Sequence, residues 1–108
     1  MEQQDNWMMQ IKKGVLPFVV LLIIRKQDSY GYSISSQIEK VLGFEVADGT
    51  IYPILMRLCR ENMLESYWVQ RDKGMPRKYY KITKTGEEYL NKITVLFDNM
   101  IVQIKEFM

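Results

Sequence analysis

Histidine is missing from this 108-residue chain, and cysteine occurs once, at position 59. Without imidazole the usual nucleophile–base triads and the common zinc sites cannot be assembled. A lone thiol supplies neither a disulfide framework nor a pair of metal ligands, which suits a reducing cytoplasm. Cys59 falls inside a predicted helix and is expected to be inert packing. No nucleophile stands beside a base, no cluster of ligands occurs and no glycine-rich phosphate loop is present. An enzyme is therefore not expected, nor a metal or cofactor. Low-complexity stretches are also absent, and with 47% hydrophobic and 26% charged residues the composition is globular. The length suits one domain with a modest core, so any further core must come from a partner chain.

Long apolar runs are scarce. The longest, Val15–Ile24, has ten residues, against about 20 for a bilayer-spanning helix, so no membrane partner is expected. Acidic residues precede it, Arg25-Lys26 follow and no small-residue cleavage site is present, which argues against a secretion signal. It reads as a helix apolar on nearly all sides, buried between its own domain and another element, with Trp7, Met8, Met9 and Ile11 leading into it. The first six residues are polar and expected to fray. Pro17 removes the bond to the carbonyl of Lys13, so either a kink or the true helix start lies there.

What the chain does have is a concentration of positive charge. The formal total is only +2, yet from Arg57 to Lys84 eight Lys/Arg face three Asp/Glu, a local +5. That stretch overlaps the most patterned part of the chain, Asp48 to Tyr80. Ile51, Ile54, Leu55 and Leu58 recur at helical spacing, leaving Thr50, Tyr52, Arg57 and Arg60 on the other side. Asp48 is placed to cap this helix and complement its dipole, while Pro53 predicts an irregular first turn. Ser66–Arg71 and Met75–Ile82 are rich in aromatic and β-branched residues, and Asp72-Lys73-Gly74 between them has the composition of a turn, so a hairpin is expected, with Arg71, Lys73, Arg77 and Lys78 at its tip. Tyr79 and Tyr80 alternate across a strand, so one of them should be core. Upstream, Ser29 is a plausible cap for a helix from Tyr30 to Leu42 that buries Ile34, Ile38 and Val41 or Leu42 and ends at Gly43.

A helix with a polar, cationic front beside a cationic hairpin is the pattern of a winged helix-turn-helix that lays its helix in the major groove and its wing on phosphates. The expected partner is double-stranded DNA. Thr50, Tyr52 and Arg57 would sit at or near the groove, Arg60 at its edge, and Lys73, Arg77 and Lys78 on phosphates. Tyr52 has a structural alternative, with its ring packed against the preceding helix and only its hydroxyl offered to DNA. A solvated Lys-rich hairpin without a nucleic-acid role is the bland reading, and a protein-interaction module built on the same scaffold is the second functional one.

After the hairpin, Thr83 caps a last helix from Lys84 to the C-terminus. Leu90, Ile93, Phe97, Met100, Ile104 and Phe107 step by 3, 4, 3, 4 and 3, a heptad seam. A second copy of the chain would bury it; the alternative is that the helix folds back on its own first helix. Trp7, Met8 and Phe97 are either interface packing or the lining of a pocket for a small hydrophobic or aromatic effector.

These residues together resemble the PadR family of bacterial transcriptional regulators. The resemblance rests on Gly31-Tyr32, on Gly49-Thr50-Ile51-Tyr52-Pro53 with Arg57-Leu58, on Gly74-x-Pro76-Arg77-Lys78-Tyr79-Tyr80, and on Thr83-x-x-Gly86. Asn62 stands where the family often has glycine, as a left-handed cap, and Met75 replaces a smaller or cyclic residue. The resemblance implies a mainly α fold with a small β-hairpin: a winged helix-turn-helix over 1–83, including the N-terminal helix, and a dimerisation helix over 84–108. It also implies a cytoplasmic, dimeric repressor whose last helix packs on the partner's first, bound to an inverted-repeat operator and released by a ligand or other signal. The small subfamily with a single terminal helix includes members that bind flat hydrophobic drugs at the dimer axis, and Phe97 stands where such a member has a tryptophan.

Overall fold

The computed structural model describes residues 2–108, with side chains from Asn6 onward. Eight elements follow in order: α1 (Glu2–Gly14), α2 (Leu16–Lys26), β1 (Ser29–Tyr30), α3 (Gly31–Leu42), α4 (Asp48–Arg60), β2 (Leu64–Val69), β3 (Arg77–Ile82) and α5 (Lys84–Lys105). Pro17 marks a true helix start. It sits in the first turn of α2, where its missing N–H costs nothing, and α1 meets α2 at 54°. Among the described residues no single helix is long and apolar enough to cross a membrane.

The core is built on α2, whose Leu16, Val20, Leu21 and Ile24 are buried among Ile34 and Ile38 of α3, Ile51, Leu55 and Leu58 of α4, Leu64 and Tyr80 of the sheet, and Leu90 of α5. The sheet order is β1-β3-β2, all antiparallel. The hairpin is as expected, but its first strand lies two residues earlier in the chain and its second starts two residues later, which leaves residues 70–76 as its loop. β1 was not expected. Ser29 pairs with Tyr80 in it, and its hydroxyl donates to the Gln27 carbonyl, so Ser29 does not cap α3. The position before α3 is Tyr30, with no side-chain cap. Of the residues expected inside α3, Ile34 and Ile38 are buried, Leu42 is half-buried and Val41 lies in solvent.

Asp48 likewise is not a cap: Ala47 precedes α4 and Asp48 occupies the first turn, where its charge still complements the helix dipole. Pro53 is accommodated inside α4, after a first turn in which the Ala47 carbonyl accepts from both Thr50 and Ile51. The other end of α4 closes as a left-handed cap. Asn62 has φ +62°, its N–H donates to the Cys59 carbonyl, and the Met63 N–H reaches back to Leu58. Thr83 then ties this turn to the last helix. Its hydroxyl accepts from the Gly86 N–H and donates to the Asn62 carbonyl, and its N–H donates to the Met63 carbonyl. Gly86 is required by the same approach, since a Cβ there would overlap the Met63 carbonyl oxygen.

The heptad seam divides in two. Leu90 is fully buried in this chain's own core, which corrects its assignment to a dimer seam; helical spacing reveals an apolar face but not what covers it. Ile93 and Phe97 are half-buried, Phe97 lying against Phe18 of α2 with ring centroids 5.4 Å apart. Beyond them Met100 and Ile104 are 43% and 46% exposed, and Phe107, past the helix end, is almost wholly so. At 22 residues α5 is about 33 Å long, more than this small core can cover.

Candidate nucleic-acid interface

The apolar stripe of α4 faces the core, and that fixes what its other side shows. Thr50, Tyr52, Met56, Arg57 and Arg60 are all exposed. They do not form one surface, however. Tyr52 lies on the flank nearest the wing, in a groove lined also by Tyr32, Trp68, Arg77, Lys78 and Tyr80. The end of its ring rests on Gly31, where an added Cβ would lie 3.1 Å from the Tyr52 hydroxyl. The sequence alternative for Tyr52 is thus half realised: it packs on α3, but through its hydroxyl end. Arg57 is on the opposite flank. Its Nε donates to Glu61 Oε2 at 3.2 Å, and both line a cleft of about 420 Å³ between α4, α2 and α5, with Pro53, Phe18, Tyr89 and Ile93. The i,i+4 spacing of this pair is legible in the sequence.

The wing separates its cations by role. Arg71 is turned inward, donating to the Met75 carbonyl and folding over Gly74, whose φ of +86° admits the turn. Lys73 is left exposed in the loop. Arg77 is not at the tip: it begins β3, half-buried, with its guanidinium 4.3 Å above the Tyr30 ring. Lys78 projects from the other face, its Nζ 5.9 Å from the ring centres of both Trp68 and Tyr80. Alternation along β3 thus splits the neighbouring tyrosines as expected, Tyr80 into the core and Tyr79 onto an outer row with Tyr30 and Tyr67. Tyr67 donates to the Asp28 carboxylate, which pushes its own pKa up and pins β2 to the loop before β1.

Apart from Arg57 and Lys81, the cations of α4 and the wing lack counter-charges among the described residues. Among the described residues the ion pairs are Arg57–Glu61 and Lys81–Glu65, the latter directly cross-strand at 3.9 Å. Arg60, Lys73, Arg77 and Lys78 have no carboxylate partner, so their field is available to a polyanion. Tyr32 and Trp68, both strongly exposed beside Lys78, are outside the DNA contacts expected from sequence, although Tyr32 belongs to the Gly31-Tyr32 motif. A lone aromatic carries no spacing signal, and only the fold brings these two together. Cys59 is half-buried in the last turn of α4, and burial pushes its thiol pKa up, partly offset by Lys78. It is suited to packing, as expected.

Trp7, Met8 and Ile11 stand exposed along α1. None of Trp7, Met8 and Phe97 lines the cleft beside Arg57. Phe97 is engaged with Phe18 of its own chain.

The fold has close counterparts. A PadR-like transcription factor from Bacteroides fragilis superposes with a TM-score of 0.80 at 30% identity, over 95% of this chain and 99% of that one. A PadR-like transcriptional regulator from Bacillus cereus does so at 0.78 and 33% identity, over 91% and 95%. The structure of Bacillus subtilis PadR in complex with operator DNA aligns at 0.69 and 26% identity, covering 75% of this chain and 47% of that longer one. The model of the transcriptional regulator PadR-like family matches residues 20–92, from the middle of α2 through the wing and into α5, and the chain belongs to that family.

Proposed function

We propose that this transcriptional regulator binds operator DNA directly, as a cytoplasmic homodimer acting as a repressor on an inverted repeat. One observation carries the reading. The exposed face of α4 lies beside a wing whose Lys73, Arg77 and Lys78 have no carboxylate partner among the described residues, the complement of a phosphate-flanked major groove. The complex of a family member with operator DNA supports it. Thr50 and Tyr52 are the candidates for base edges. Arg60 sits at the rim and Lys73, Arg77 and Lys78 on phosphates, while Arg57, held by Glu61 on the flank away from the wing, takes a secondary part.

Residues 1–83 do the reading and 84–108 the pairing, although the first turns of α5 are rooted in the same core through Leu90. The distal part of α5, with Met100, Ile104 and Phe107, and the apolar side of α1, with Trp7, Met8 and Ile11, cover one another across the twofold axis. Relief of repression by a small hydrophobic or aromatic effector fits the methionine and aromatic content of that junction. Titrating duplex DNA at several salt concentrations tests the reading: binding should fall steeply with salt. A footprint should span two half-sites whose centres are about 10 bp, or a multiple, apart. Association that is absent at low salt, or a footprint on a single asymmetric site, would count against it.

A further inference from the structure

We propose that the groove between the start of α3, α4 and the wing holds one backbone phosphate of the duplex, and that Tyr32 and Tyr80 contact DNA there beside Lys78. This rests on the DNA-binding reading and adds positions outside the set expected from sequence. The groove has a volume of about 390 Å³, and no carboxylate is among its lining residues, while Arg77 and Lys78 both are. Lys78 enters the hollow from the Trp68 side and Arg77 borders it over the Tyr30 ring, both without a counter-charge, and that makes a site for an anion.

The polar groups around them are donors. Tyr80 is only 4% exposed and lines the groove, and its hydroxyl takes part in no side-chain hydrogen bond among the described residues. A buried hydroxyl left open on one side calls for an acceptor from outside. Burial first, then Cys59 and Tyr52, pushes its pKa up, so it remains a protonated donor throughout the physiological range. Tyr32, 75% exposed on the first turn of α3, brings a second hydroxyl. Trp68, 65% exposed, walls the hollow with an indole that has no core to cover it. Gly31 lets Tyr52 lean in from α4, since any side chain there would push the tyrosine back.

Hydroxyls around a flexible ammonium suit a phosphodiester oxygen, whereas reading a base edge asks for a rigid bidentate pair. The position agrees: the groove borders α4 on one flank, where the sugar–phosphate strand beside an occupied major groove would run.

The test uses the full chain and measures affinity for operator and random duplex against salt, for the wild type, Lys78→Gln, Tyr32→Phe and Tyr80→Phe, with thermal melting as a check on folding. Lys78→Gln should lower the salt slope by about 1.8 units per dimer, at about 0.9 per lost phosphate contact. Each tyrosine variant should keep the slope, since no charge is removed, and weaken both duplexes equally, about two- to tenfold for each hydrogen bond lost. Tyr32 is exposed, so its variant cannot fail through the core. The phosphate site falls if Lys78→Gln leaves the slope unchanged, if both tyrosine variants bind as the wild type does, or if either loses operator selectively, which would make the groove a base reader. Each of these outcomes occurs with wild-type binding intact. A wild type that ignores duplex DNA at low salt would instead sink the DNA reading itself.

Discussion

On α4 and the wing, what stands in solvent is Arg60, Lys73 and Lys78; along α1 and the distal α5 it is Trp7, Met8, Ile11, Met100, Ile104 and Phe107. Both surfaces are left over once the core has formed, because α4 and α5 each bury a single stripe. They differ in what would satisfy them. Cations are already well solvated and gain only from a dense array of negative charge, so their affinity is salt-dependent and long-ranged. Apolar side chains gain from any dry cover, and a twofold copy offers the same face in return. Exposure by itself says little, therefore, and the chemistry of the exposed atoms separates a nucleic-acid face from a protein face.

The harshest way to break that contrast is to put charge on the apolar end. Met100→Asp combined with Ile104→Asp places four carboxylates in the dimer, and burying each without a partner costs at least several kcal/mol. Sedimentation should show monomers at micromolar concentration with helix content retained, since neither side chain supports the subunit core. An unchanged dimer would mean that the distal part of α5 is not the interface.

Next in size is a change that strikes neither face but the joint between them. Gly86→Ala drives a methyl group into the Met63 carbonyl oxygen and the Ile82 side chain, an overpacking that should cost about 1 to 3 kcal/mol of stability. The carbonyl it displaces also accepts the Thr83 N–H that sets α5 against the end of α4. Denaturant unfolding measures the loss. Should Gly86→Ala unfold at the wild-type midpoint, the close approach of α5 to this turn is wrong.

On the charged side, Lys73→Gln sharpens the comparison. The residue is exposed in the wing loop with no partner among the described residues, so neutralising it should leave stability unchanged. Operator and random duplex should both weaken, on the order of tenfold, and the salt slope should fall by up to about two units per dimer. Selective loss of operator binding at constant slope would show the wing reading sequence.

Much of this architecture could be read from the chain before folding. The stripe of α4, the hairpin, the Thr83 cap and the left-handed Asn62 each carry a local signal in spacing or residue type. What escaped was set by distant partners. β1 is two residues long and exists because β3 offers it an edge, so no periodicity announces it. Ser29 looks like a cap and is taken by that strand. Leu90 continues a seam by its spacing yet belongs to the core, because an apolar stripe does not reveal whether its cover is its own chain or another. In the site, the grouping of Tyr32 with Trp68 and Lys78 joins the start of α3 to a hairpin that lies far from it in sequence.

The smallest expected effect concerns Thr50 and Arg57, which the sequence alone treats as equals on the front of α4. Thr50 sits on the first turn, exposed, with its side chain uncommitted to any hydrogen bond among the described residues. Losing a single hydroxyl or methyl contact to a base should narrow the gap between operator and random duplex by about 1 kcal/mol per subunit. Arg57 is spoken for. Its pair with Glu61 is 63% and 41% exposed on its two sides, too solvated to lock the arginine in place, yet it turns the guanidinium toward the C-terminal end of α4 and the flank facing α5. Arg57→Ala should therefore reduce discrimination by less than Thr50→Ala does, and Glu61→Gln, which frees the guanidinium, should strengthen random-duplex binding slightly. Competition assays with operator against random DNA rank the three variants. If Arg57→Ala instead abolished operator preference while Thr50→Ala had none of the expected effect, the reading face of α4 would lie on its α5 flank, and the contrast between the wing side and the rest of the helix would have to be redrawn.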